Sequence, residues 1–180
     1  MRLLPAIAIA LTLSLPFAAH AAGSDDSTPP TPTQTTTTCK DGKVWDEAQQ
    51  KCVPPQHHGL SNDTRFRALR ELAWAGRYDD AMRVLSAMTE GDSDRVLTYR
   101  GFILRKTGHI EQGITAYEAA LRLNPGNILT HSYYGQLLVE MNEMGAARSH
   151  LAAIRSHGGQ GTWAETALAR AIDTGLTTTY

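Results

Sequence analysis

The chain has 180 residues, a formal net charge of −1 and a sequence pI near 6.6. With 17 Lys and Arg against 18 Asp and Glu, it has no strong field to draw in nucleic acid or an anionic membrane surface. Its length suits one modest domain plus a tail and excludes two large ones.

Residues 1–21 read as a signal peptide: Arg2 is followed by an apolar run over residues 3–17, then by Ala19-His20-Ala21. A positive start, a short apolar stretch and a small-x-small site are what membrane insertion and peptidase access require, and they place cleavage after Ala21. The alternative is an uncleaved anchor. The run falls short of the ~20 residues needed to cross a bilayer, and Pro5 and Pro16 interrupt it. The mature chain has no second apolar run of that length, so it is predicted to hold no membrane span and to be periplasmic or secreted.

Residues 22–38 are rich in Ser, Thr, Pro, Gly and Asp, including Pro29-Pro30 and four consecutive Thr from Thr35. Such a composition buries too little apolar surface to offset its ordering entropy, which predicts a disordered leash. Residues 39–53 hold both cysteines, and in an oxidising compartment Cys39 and Cys52 are expected to form one bridge. Asp41-Gly42 supplies a turn and Val44-Trp45 a strand-like pair. The segment resembles small disulfide hairpins found in secreted cysteine-rich and chitin-binding modules, which implies a carbohydrate-associated role as an alternative function. In the simpler reading Trp45 packs over the disulfide. Residues 54–60, with Pro54-Pro55 and His57-His58-Gly59, form a second linker. The His pair has no further ligands nearby to complete a metal site.

From residue 61 the sequence repeats. Leu72, Gly76, Ala81, Leu85 and Met88 recur 32 residues on as Leu104, Gly108, Gly113, Tyr117 and Ala120, and Gly101 stands for Leu69. A further 34 residues on stand Gly135, Leu138, Asn142, Ala147, Leu151 and Ile154. In the middle copy Ser93 caps a helix predicted over 94–106, Thr107-Gly108 breaks it, and a second helix runs over 109–123 to Asn124-Pro125-Gly126. Gly101 and Gly113 are small where two helices must approach. The copies span 61–93, 94–127 and 128–161. A capping helix is predicted over 162–175, opened by Thr162 and Glu165 and bearing Trp163, Ala167, Leu168, Ala171 and Ile172 on one face.

Leu97, Gly101, Leu104, Gly113, Tyr117, Ala120 and Pro125 stand at the motif positions of the tetratricopeptide repeat family, which residues 61–172 resemble. The departures are Leu97 at the family's first aromatic position, Arg100 in place of a leucine, and Ser93 and Gly159 in place of the inter-repeat proline. The resemblance implies an all-α fold: three helix-turn-helix hairpins stacked as a short right-handed solenoid with a C-terminal cap. It also implies a concave surface, lined by the first helix of each hairpin, that binds a peptide. The residues expected on that surface are Phe66, Arg70, Arg95, Thr98, Phe102, Arg105, Ser132 and Gln136, a mixture suited to acidic and apolar side chains. The Asn residues by which one subset of the family clamps a terminal carboxylate are missing here.

The function expected is that of a protein-binding adaptor, with self-association of the array as a third alternative. The sequence leaves the oligomeric state open. Catalysis is not expected: there is no serine elbow, phosphate loop or zinc motif, and no cofactor or metal is called for. His109 begins a helix, and His150 and His157 lie two turns apart on one helix.

Overall fold

The computed structural model describes residues 28–177, so the expected signal peptide and the first part of the leash lie outside the described residues. Three hairpins follow one another: α2 (Asn62–Trp74) with α3 (Tyr78–Ser86), α4 (Asp94–Lys106) with α5 (Ile110–Leu123), and α6 (Ile128–Glu140) with α7 (Met144–Ser156). A last helix, α8 (Trp163–Thr174), packs on α6 and α7. No helix among the described residues is long and apolar enough to cross a membrane.

The repeat is written most plainly in its punctuation. Ser61, Ser93, Asn127 and Thr162 each sit in extended backbone, and each side chain accepts from a backbone N–H in the first turn of α2, α4, α6 and α8 respectively. The first helix of each hairpin then ends on a left-handed residue, Gly76, Gly108 or Asn142, with φ of 71°, 84° and 63°. Beyond it the N–H groups of Arg77, His109 and Glu143 close back on the carbonyls of Leu72, Leu104 and Leu138 at 2.9, 2.8 and 2.7 Å. α3, α5 and α7 begin at once and lack a side-chain cap.

Close approach explains the helical glycines. A Cβ at residue 101 would come within 2.7 Å of the Tyr117 ring, and one at residue 113 within 3.2 Å of the Gly101 carbonyl, so α4 and α5 meet backbone to backbone. At residue 135 a Cβ would come within 2.5 Å of Leu168, which is how α8 seats on α6.

The N-terminal end differs from the leash and linker expected there. Thr33 caps a short helix, α1 (Gln34–Thr37), and β1 (Val44–Asp46) pairs antiparallel with β2 (Lys51–Val53). Cys39 and Cys52 form the expected disulfide, with Cα atoms 5.6 Å apart. Val44, Val53 and Leu60 are buried in the same cluster as Phe66, Leu69 and Leu72, so the hairpin covers the open face of the first repeat. Buried charge ties the rest down. The Glu71 carboxylate accepts from the backbone N–H and hydroxyl of both Thr33 and Thr36, at 2.5–3.2 Å. Arg65 donates to the carbonyls of Pro55 and His57, and Arg77 to those of Thr35 and Thr36. A Thr-rich segment with few apolar side chains is thus ordered by partners in α2 rather than by burial of its own.

Candidate functional site

The first helices α2, α4 and α6 lie side by side and bear every residue expected on the binding surface. Aromatic rings join them into one continuous chain. The Phe66 ring meets Tyr99 edge-on at 5.5 Å, Tyr99 meets Tyr133 at 6.0 Å, and Phe102 meets Tyr133 at 4.8 Å. Tyr133 then meets Trp163 of α8 at 6.0 Å, and Trp163 meets Trp74 of α2 at 5.0 Å, with the Trp74 Nε1–H donating to the Tyr133 hydroxyl at 3.1 Å.

The expected residues are therefore less accessible than their spacing suggested. Phe66, Arg70, Thr98, Phe102, Arg105, Ser132 and Gln136 are all buried, whereas Leu104, assigned to the inner face, is half-exposed. Thr98 donates to the Asp94 carbonyl and meets the Thr130 hydroxyl at 2.6 Å, an inter-repeat contact between α4 and α6. Gln136 donates to Ser132 one turn back. Arg70 donates to the Tyr99 hydroxyl and to the Thr28 carbonyl. Burial pushes that Tyr99 hydroxyl up, and Arg70 opposes the shift.

Arg105 grips Glu140 through two nitrogens, at 2.8 and 2.6 Å, and donates a third bond to the Tyr133 carbonyl. Burial alone would raise the Glu140 carboxyl, but Arg105 outweighs it and holds the group below its ordinary value. Arg95 is the most accessible of the set, with its side chain 30 % exposed. Its guanidinium lies 4.6 Å over the Phe66 ring and binds Glu90 and Asp63, and the Glu90 bond above all holds it in the charged form. Lys106 adds a half-buried ammonium 5.9 Å from the Phe102 ring, lowered by burial and by Arg105. The surface thus has a packed aromatic and hydrogen-bonded floor, with Arg95, Lys106, Trp74 and Trp163 partly exposed along it.

Trp45 is half-buried opposite Cys52, and its indole N–H is enclosed without a hydrogen-bond partner. His57 meets Asp46 at 3.8 Å and Gln49 at 3.2 Å. Among the described residues no group of three or more His, Cys, Asp or Glu is disposed to hold a metal ion.

One cluster escaped the sequence reading. His131 of α6 meets His150 of α7, Nδ1 to Nδ1, at 2.8 Å, and the His157 ring lies parallel to that of His131 at 6.2 Å. Only the spacing of His150 and His157 along one helix is visible locally; the partner on the preceding helix is 19 residues away.

An array of capped helix-turn-helix hairpins with equivalent first helices defines a helical-repeat protein. Residues 94–127 match the family model for the tetratricopeptide repeat, which supports a protein of that family. No curated protein and no solved structure matches it. The matched residues coincide with the second hairpin, and the family suggests a protein–protein interaction role rather than a catalytic one.

Proposed function

We propose that this is an exported adaptor whose repeat array binds a peptide segment of an envelope or secreted partner along the surface of α2, α4 and α6. The observation that supports it most is the alignment of three equivalent first helices, one of them in the matched repeat, with cations and aromatics at their accessible edge. Arg95 and Lys106 make direct contacts in this reading. Arg70, Phe102, Arg105, Ser132 and Gln136, with Phe66 and Thr98, give the floor its shape. The positive start and apolar run of residues 1–21 support export, as does the Cys39–Cys52 disulfide, since paired thiols persist in oxidising compartments.

Site-specific photo-crosslinking tests this reading. A crosslinking side chain at residue 95 or 106 of the tagged chain, expressed in its own cell envelope, is expected to capture a protein partner. The same group at Glu118 or Arg148, exposed on α5 and α7, is expected to capture none. Arg95→Ala should reduce recovery several-fold with little change in melting temperature. Crosslinks arising from the second helices alone would refute the assigned surface.

A further inference from the structure

Two imidazoles meet across the α6–α7 hairpin, and their hydrogen bonds admit one arrangement of protons in the neutral pair. His131 Nε2 lies 2.9 Å from the Pro125 carbonyl, which can only accept, so that nitrogen carries the proton. In the neutral ring His131 Nδ1 is then bare and accepts from His150 Nδ1–H across 2.8 Å. His131 is buried and His150 half-buried. From α6 the Tyr134 ring lies 4.7 Å from His150, and its hydroxyl reaches the exposed Glu118 carboxylate of α5 at 3.5 Å. His157, the residue that follows α7, presents its exposed ring, and the 124–127 turn presents the Pro125 carbonyl. Asp94 of α4 stands behind that turn, accepting from Asn124 and Asn127. Glu118, beyond Tyr134, and Asp94, beyond the turn, both lack a direct contact with the pair.

We propose that the His131–His150 pair is a proton-operated latch, which holds the third hairpin closed at neutral pH and releases α7 from α6 in mild acid. A first proton can be shared across the pair only by burying a charge. A second leaves two N–H groups facing each other with no acceptor, next to a third imidazole, His157. Burial, reinforced by the neighbouring ring, already presses His150 down to about 4, and burial likewise lowers His131, with the Pro125 bond opposing. Both groups thus bind protons more readily once the hairpin opens. The sign follows: closure has its full stability above the ordinary histidine range and loses it as pH falls from about 6.5 towards 4. The contact that would report opening is the seating of α8 on α6 and α7.

The test is amide exchange by mass spectrometry on the full mature chain, corrected for the intrinsic pH dependence of exchange. Protection of α7 relative to α4 should fall about tenfold between pH 7.5 and 5.0, the change that one unit of coupled titration produces. In His150→Gln, whose amide can still donate to His131 but does not titrate, the fall should be less than twofold. An equal fall in both proteins, or none in the unsubstituted chain, overturns the latch. If the variant does not fold, the ring resonances of the unsubstituted protein decide. His131 and His150 titrating together below the ordinary histidine range supports the proposal; independent titration at ordinary midpoints with α7 undisturbed overturns it.

Discussion

The two ends of the array are closed by opposite means. At the C-terminus, α8 buries Ala164, Ala167, Leu168 and Ala171 against α6 and α7, with Leu168 seated over Gly135. At the N-terminus no helix of comparable length is present among the described residues. A disulfide hairpin contributes Val44 and Val53, and Glu71, Arg65 and Arg77 hold the chain before and after it by hydrogen bonds. A terminal repeat needs its apolar face covered, and either a helix or a cross-linked loop can do so. The difference lies in what each depends on: packing volume at one end, chain connectivity and buried charge at the other.

That contrast can be broken end by end. Leu168→Ala should have the largest effect, about 3–4 kcal/mol, because it opens a cavity where Gly135 has no side chain to fill it. Chemical denaturation measures it, and a loss under 1 kcal/mol would mean that α8 is dispensable. Replacing Cys39 and Cys52 by serine should cost about 3 kcal/mol, the closure entropy of a loop with this 13-residue separation, and the loss should be matched by adding reductant to the unsubstituted chain. Glu71→Gln should cost about 2 kcal/mol, since the amide can accept at one atom only and four donors in residues 33–36 share the carboxylate. Limited proteolysis should then cut near Thr33–Thr38 first. Ser93→Ala, which removes the cap of α4, should cost about 1 kcal/mol by thermal melting and leave both ends intact.

The repeat was legible because its signals are local. Caps, left-handed turns and close-approach glycines recur at positions that the chain itself spaces, so Ser93, Gly108, Gly101 and Gly113 could be assigned from neighbours alone. The N-terminal cap was not legible, since the partners of Thr33 and Thr36 lie 35–38 residues away in Glu71 and no periodic pattern announces them. The binding surface was legible in outline only. Helical spacing put Phe66, Phe102 and Gln136 on one face, but whether that face is open depends on how tightly neighbouring first helices pack. The Phe102–Tyr133 and Thr98–Thr130 contacts show that they pack closely. Large loss-of-binding effects from Arg105→Ala or Phe102→Ala would therefore report unfolding as readily as a lost contact, and Arg95 is the cleaner probe.

Trp74 belongs to the first repeat and Trp163 to the cap beyond the third, yet their rings touch at 5.0 Å. An ordinary linear array melts from its ends inward, each unit answering only to its neighbours. Here the two extremities share a contact, which makes the array a loop in energetic terms. Loosening the cap would therefore also remove a ring contact from the first repeat, so the two are expected to lose stability together more than nearest-neighbour packing alone would make them.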